Sequence, residues 1–357
     1  WAIDNEPMLW DSTHRDVHPA PATYDELWSR TAAMALAIKA QDPAAKVLGP
    51  AVWGWCAYFS SAADAAFPNG SCVDGPDRQG HGGLPLLEWY LEQNCAVETA
   101  TGVRPIDYLD VHFYPQGGVA GLDGASSSED PATAAKRLRS VRELWDPSWV
   151  SESWINQPVH LIPRLKAWID ARCAGVGLAV TEYRWGADDG ISSALAHAEV
   201  LGVFGREGVD LATRWTAPDP GTRVEDAYEL FLDYDGASAR IEGESVRALA
   251  DSDALGAYAV RGGAGQLWVL LVNRETTPLE ATVDLATPLL PGTAPVYRFD
   301  GANPLSLALS IPVSPTSFNL DLPPRSASLV VTRLATPSIF TDGFESGDTG
   351  AWSGTVP

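Results

Sequence analysis

The first 235 residues alternate short apolar runs with stretches of helical period. WAIDNEP (1–7) is an apolar run that ends in polar residues, and reads as a strand leading out to a loop. Thr23-Tyr-Asp-Glu26 is a capping box. Its reciprocal hydrogen bonds predict a helix from there to about Gln41, where Asp42-Pro43 stops it. Residues 46–52 (KVLGPAV) predict a buried strand. In 84–95, Leu86, Leu87, Tyr90 and Leu91 fall on one helical face. Residues 106–113 (IDYLDVHF) predict the next strand. Asp130-Pro131 places a cap and a first-turn proline ahead of a helix to about Leu144. Then follow a helix over 160–174, a strand over 176–182, a helix over 191–206, a strand over 209–215 and a helix over 224–233.

Five strands, each followed by a helix, predict an α/β fold with a parallel sheet. Two architectures compete, a doubly wound open sheet and a (β/α)₈ TIM barrel. The open sheet usually carries a glycine-rich turn after its first strand, and this sequence has none there. Its strands end instead in carboxylates, histidines and aromatics, where barrel enzymes keep their chemistry. Five units do not close a barrel, so the expectation is a partial barrel, about strands 4 to 8, with the other strands upstream of Trp1. After residue 250 the pattern changes. Apolar or alternating runs at 255–260, 266–272, 280–285, 295–299 and 326–331, punctuated by Gly, Pro and Asn, predict a small antiparallel β-sandwich. The expected organisation is barrel over 1–245, sandwich over 246–335, and a Gly/Asp/Ser-rich segment over 336–357. That last segment reads as a tail or as the start of a further domain, and resembles a motif near the C-termini of secreted bacterial proteins.

Composition narrows the partners. There are 24 Lys+Arg against 46 Asp+Glu, a net charge of −22. Nucleic acid and anionic membrane both require a basic surface, so neither is expected as a partner. Apolar runs such as 267–272 are too short to span a bilayer. The cysteines are Cys56, Cys72, Cys95 and Cys173, with no CxxC pair, which argues against zinc and redox motifs. They suit two disulfides or four buried thiols. Of the three pairings, Cys56–Cys72 with Cys95–Cys173 is favoured. A Lys-poor, Trp-rich, acidic chain fits a secreted, extracellular protein.

With 46 acids, a carboxylate is ordinarily a surface or salt-bridged residue, and position must discriminate. Glu6 and Glu182 each end an apolar strand, in Asn5-Glu6-Pro7 and Thr181-Glu182-Tyr183. The C-terminal ends of parallel strands share one side of the sheet, so the two acids should meet in one cleft. Two carboxylates at one mouth are what glycoside hydrolysis needs: one protonates the leaving oxygen, the other attacks the anomeric carbon. His112 and Tyr114 alternate around Phe113 and so point to the same side, where they can hold a carboxylate. Twelve of the 14 tryptophans precede residue 216. Trp53, Trp55 and Trp215 lie at strand ends, and Trp10 and Trp185 closely follow the two glutamates. Core packing explains any one of them about as well, but together they suit a sugar cleft, because pyranose faces stack on flat aromatics. His14 and His18 are four apart, but Pro19 and the intervening Arg15-Asp16-Val17 favour an irregular loop. His14 is therefore read as a substrate contact. Asp188-Asp189 reads as a solvated pair. No metal and no cofactor are expected.

The stretches IDNEPMLWDSTHRDVHP, KVLGPAVWGW, YLDVHFYPQ, LAVTEYRWG and ATRWTAPDP, in this order, resemble glycoside hydrolase family 44. LFLDYDG and LWVLLVN resemble its closing helix and β-sandwich. The resemblance covers about residues 1–335. It implies a retaining endo-β-1,4-glucanase, acting as a monomer on cellulosic glucans, xyloglucan or a related β-glucan. It matches Glu6 to the acid/base, Glu182 to the nucleophile and Asn5 to a contact of the sugar 2-hydroxyl. It also matches His112 and Tyr114 to groups near the nucleophile, and Trp215 to the aromatic under the reacting sugar. Two alternatives stand beside it: an exo-acting β-xylosidase or arabinofuranosidase, and a non-catalytic glycan-binding protein.

Overall fold

A computed structural model describes residues 1–67, 72–119 and 129–335. The predicted segment at 336–357 lies outside the described residues. Four strands, β1 (Leu48–Val52), β2 (Tyr108–Phe113), β3 (Gly177–Tyr183) and β4 (Leu211–Ala212), form a parallel sheet in the order β1-β2-β3-β4. Its principal helices are α1 (Tyr24–Gln41), α2 (Leu86–Thr101), α3 (Pro131–Ser140), α4 (Leu161–Arg172), α5 (Ile191–Glu207) and α6 (Arg223–Leu232). The fold is thus α/β, with helices covering a sheet whose first three strands are almost wholly buried. Among the described residues, no helix is long and apolar enough to cross a membrane.

Two predicted strands are shorter than their patterns. WAIDNEP forms no regular strand: it meets β1 at the bridge Ala2–Leu48 and again through the Glu6 N–H on the Ala51 carbonyl. Pro7 cannot donate to a ladder, and Glu6 turns the chain with a left-handed φ of 44° into the short 3₁₀ turn Pro7–Leu9. The predicted strand at 209–215 keeps two regular residues. At its start the Asp210 N–H donates to the Leu178 carbonyl at 2.9 Å, while the Asp210 side chain, rather than its carbonyl, accepts from the Leu178 N–H at 2.8 Å. Half of the capping box forms: the Thr23 hydroxyl accepts from Glu26 N–H. The Glu26 carboxylate instead binds His18 and Arg30.

The C-terminal strands are β5 (Glu244–Val246), β6 (Leu255–Arg261), β7 (Gln266–Asn273), β8 (Leu279–Asp284), β9 (Gly292–Asp300), β10 (Ser306–Val313), β11 (Ser317–Leu322) and β12 (Ser326–Arg333). Six of them form an antiparallel sheet in the order β10-β9-β12-β7-β6-β5, and β11 and β8 pair separately. The expected boundary at 245/246 falls inside β5, which pairs with β6. The continuous apolar run of β7 reflects cover on both faces. Leu267, Val269 and Leu271 pack with Phe318, Leu320 and Leu322 of β11, whereas Trp268, Leu270 and Val272 join the main core. Helix α5 belongs to that same core and is buried along most of its length.

Both favoured cysteine pairs are disulfides, Cys56–Cys72 and Cys95–Cys173. The second joins α2 to the C-terminal cap of α4 across 78 residues.

Candidate active site

Two β-bulges place the acids. Along β1, Pro50 pairs with Asp110 and Val52 with Val111, which leaves Ala51 as an extra residue. Ala51 is left-handed, φ 53°, and its carbonyl accepts the Glu6 N–H at 3.0 Å. Along β3, Val180 pairs with Val111 and Glu182 with His112, which leaves Thr181 as the extra residue. A bulge re-aims the side chains that follow it. Here the result is that Glu182 stands beside His112, at the end of the sheet where Glu6 enters.

His112 lies between the acids. Its Nδ1 is 2.9 Å from Glu6 Oε1 and 3.4 Å from Glu182 Oε2. A ring nitrogen facing two carboxyl groups serves as their donor. The Tyr114 hydroxyl donates to Glu182 Oε2 at 2.8 Å. Burial, and then the hydrogen bond and charge of Glu182, push the Tyr114 pKa up, so it stays a donor. Tyr58 donates to the His112 carbonyl at 2.6 Å and fixes the strand end. One oxygen from each of Glu6 and Glu182 and Nδ1 of His112 lie within 4.8 Å of one another. A trio so compact could also ligate a cation, but hydrogen bonds between its members and from Tyr114 already occupy it.

Beneath this trio sits Asp110, fully buried on the same side of β2 as His112 and Tyr114. The hydroxyl of the bulge residue Thr181 lies 2.7 and 2.9 Å from its two oxygens. Burial raises the Asp110 pKa to about 6, against the opposing effect of the Thr181 hydrogen bond.

The acids open into a cleft of about 470 Å³. Asn5, Trp53, Trp55, Trp154 and Trp215 are among the residues of its wall. Trp53, Trp215 and Trp154 expose 41, 47 and 59% of their surface, as sugar platforms would, whereas Trp55 is largely buried against Tyr58 and Phe59. Three expected contacts are placed elsewhere. Trp185 is wholly buried, packed on Phe113 and His197, with its Nε1 donating to Ser140. Strand alternation accounts for this, since residues 183 and 185 continue the side opposite Glu182. Trp10 and His14 line a separate groove with Ile3, Arg30 and Met34. The helical turn Trp10–Thr13 carries both away from the carboxylates. Of the other candidates, His18 binds Glu26, and Asp188 is paired with Arg184 and Arg214.

Sequence reasoning missed Trp154 and Gln116, which line the cleft and hydrogen-bond to each other at 3.1 Å. The available signal was a tryptophan in the polar stretch Ser151-Glu152-Ser153-Trp154, outside any periodic element.

Comparison with known proteins gives the same direction. Residues 1–117 match the model of glycoside hydrolase family 44. The chain is 39% identical to the solved structure of CelM2, a bifunctional glucanase-xylanase from a metagenome library. The TM-score is 0.87, over 93% of this chain and 64% of that one. It is 30% identical to a family 44 xyloglucanase of Paenibacillus polymyxa solved with xyloglucan. There the TM-score is 0.81, over 94% of this chain and 66% of that one. It is 31% identical to endoglucanase A of Paenibacillus lautus over 346 residues, 93% of this chain and 48% of that protein. The chain therefore spans about half of that endoglucanase and about two thirds of each solved chain. The motifs read from the sequence, the matched family model and the shared fold agree: the chain belongs to glycoside hydrolase family 44.

Proposed function

We propose that this chain carries the acid/base and the nucleophile of a retaining endo-β-1,4-glucanase acting on cellulosic glucans and xyloglucan. The observation that carries the reading is the approach of Glu6 and Glu182 to within 4.8 Å in an aromatic-walled cleft. Retaining pairs stand about 5–5.5 Å apart, and inverting pairs about 6.5–9.5 Å, to leave room for water. The substrate class follows the names of the relatives, an endoglucanase, a glucanase-xylanase and a xyloglucanase bound to xyloglucan.

In this reading Glu182 attacks the anomeric carbon while Glu6 gives its proton to the departing oxygen. Glu6 then takes a proton from water as that water releases the sugar from Glu182. Tyr114 and His112 orient Glu182 from two directions, and the same His112 nitrogen holds Glu6. In the same reading Asn5 contacts the sugar beside the nucleophile, and Trp53 and Trp215 stack on rings, as their position in the cleft wall supports. The four-stranded parallel sheet with its helices is read as an arc of a (β/α)₈ barrel over 1–245. The antiparallel sheets are read as its companion β-sandwich over 246–335. The two disulfides support export to an oxidising environment.

The test is the anomer released first from a cello- or xyloglucan oligosaccharide, followed by proton NMR in the intact protein. The β-anomer is expected. The α-anomer as first product would refute retention. Hydrolysis undiminished in Glu182→Gln would refute the nucleophile.

A further inference from the structure

Glu143 is a buried acid that the proposed chemistry does not use. It lies in the 3₁₀ turn Val141–Leu144 that extends α3, and only 2% of its surface is exposed. Among the described residues no arginine or lysine pairs with it. Lys136 and Glu152 act on it only at a distance and in opposite directions, and Glu152 is itself paired with Arg139. Its Oε2 makes no hydrogen bond among the described residues. A buried carboxyl without a cation is costly unless its hydrogen bonds serve a purpose.

The bond it does make begins a chain. The Ser151 hydroxyl donates to Glu143 Oε1 at 2.8 Å. Ser151 and Ser153 hydroxyls meet at 2.7 Å, and the Ile155 N–H donates to Ser153 Oγ at 3.2 Å. With each hydroxyl donating towards the carboxyl, the links polarise one another. From above, the Ser151 N–H closes the loop on the Gln157 carbonyl at 3.2 Å. Trp154 and Ile155, at the crown of this loop, line the cleft.

We propose that Glu143 is a positioning residue for the substrate cleft, holding the rim that carries Trp154 and Ile155 through the Ser151–Ser153 hydroxyl relay. The inference rests on the glycosidase reading of the cleft. Glu143 touches no substrate. It sets where the exposed Trp154 ring stands, and a ring that binds ground state and transition state alike affects KM rather than kcat.

The test compares Ser153→Ala, Glu143→Leu and Glu143→Gln in the intact protein, by initial rates on xyloglucan and carboxymethylcellulose. Ser153→Ala and Glu143→Leu should raise KM about two- to tenfold, the range of one lost hydrogen bond, with kcat held. Glu143→Gln keeps an acceptor for Ser151 and should restore KM towards the wild-type value. Unchanged KM in Ser153→Ala, with wild-type hydrolysis intact, overturns the relay. If Glu143→Leu does not fold, Ser153→Ala still decides. A fall in melting temperature with no change in KM would assign Glu143 to the fold alone and overturn the proposal. Wild-type protein that cleaves neither polymer would refute the reading of the cleft, a different result from unchanged KM in an active enzyme.

Discussion

Two acidic centres of the molecule are opposite in character. At the cleft, Glu6 and Glu182 share one histidine, and Glu182 has a tyrosine besides, with no arginine or lysine hydrogen-bonded to either carboxylate among the described residues. Between α5 and the antiparallel sheet, Glu199 is wholly buried and gripped by Arg274 through Nε at 2.8 Å and Nη2 at 2.5 Å. Tyr258 adds a third donor at 3.2 Å. One centre brings two acids together beside open space. The other pairs one acid, shut off from water, with one base. Paired burial is what a structural acid requires, whereas acids left to share a proton donor at a cleft are candidates for chemistry.

The sharpest way to break this comparison is to remove one acid from each centre. Glu6→Ala should lower kcat on polysaccharide by about 10²–10⁴-fold, the range of general acid–base catalysis. On aryl glycosides whose leaving groups need no proton, kcat/KM should be spared, because it reports only the first step, while kcat falls with the base-assisted second step. Equal loss of kcat/KM on both substrates would remove Glu6 from the acid role. Melting temperature should change little, since the Glu6 side chain faces the cleft. Glu199→Ala should do the reverse. It leaves the Arg274 charge without its partner, which costs about 3–5 kcal/mol for a broken buried pair. Urea unfolding should show the loss, while kcat well below the transition stays near the wild-type value. A drop in kcat at full folding would mean that the two centres are coupled through α5.

How much of this was legible follows from what each residue depends on. Glu6 and Glu182 were visible because each ends an apolar run, and parallel strands bring their ends together. That they come within 4.8 Å was not visible, because it depends on the bulges at Ala51 and Thr181. A one-residue insertion in a ladder leaves no mark on hydrophobic period. Trp185 is near Glu182 in sequence but not in space, because strand alternation sets it on the opposite side. Strand β7 was easy to read because both of its faces are covered. Strand β10 carries a period of two in Leu307, Leu309, Ile311 and Val313, but residues 306–310 are exposed, so the alternation there marks no buried face, and Pro312 interrupts the run. Trp154 depends on a loop whose path no local pattern specifies. Glu143 looks like any surface acid until its burial is known.

Asp110 tests the comparison from a third side, because it is buried beneath the cleft trio with a hydroxyl rather than a cation as partner. Its pKa of about 6 in the fold stands above the ordinary 3.8. Below about pH 4 the carboxyl is protonated in folded and unfolded chains alike and contributes nothing to the difference. Between these values the unfolded chain releases the proton and the fold retains it, so stability falls as pH rises. Above about pH 6 both states are ionised and the cost is constant, at most about 3 kcal/mol for a shift of this size. Asp110→Asn keeps an acceptor for Thr181 and removes the titration. The variant should match wild type near pH 4 and gain stability over it progressively towards pH 6.5, when urea midpoints are compared across that range. A constant difference between the two proteins would mean that Asp110 is ionised throughout. The acid beneath the cleft would then be held as Glu199 is, by compensation that the Thr181 hydroxyl alone does not supply.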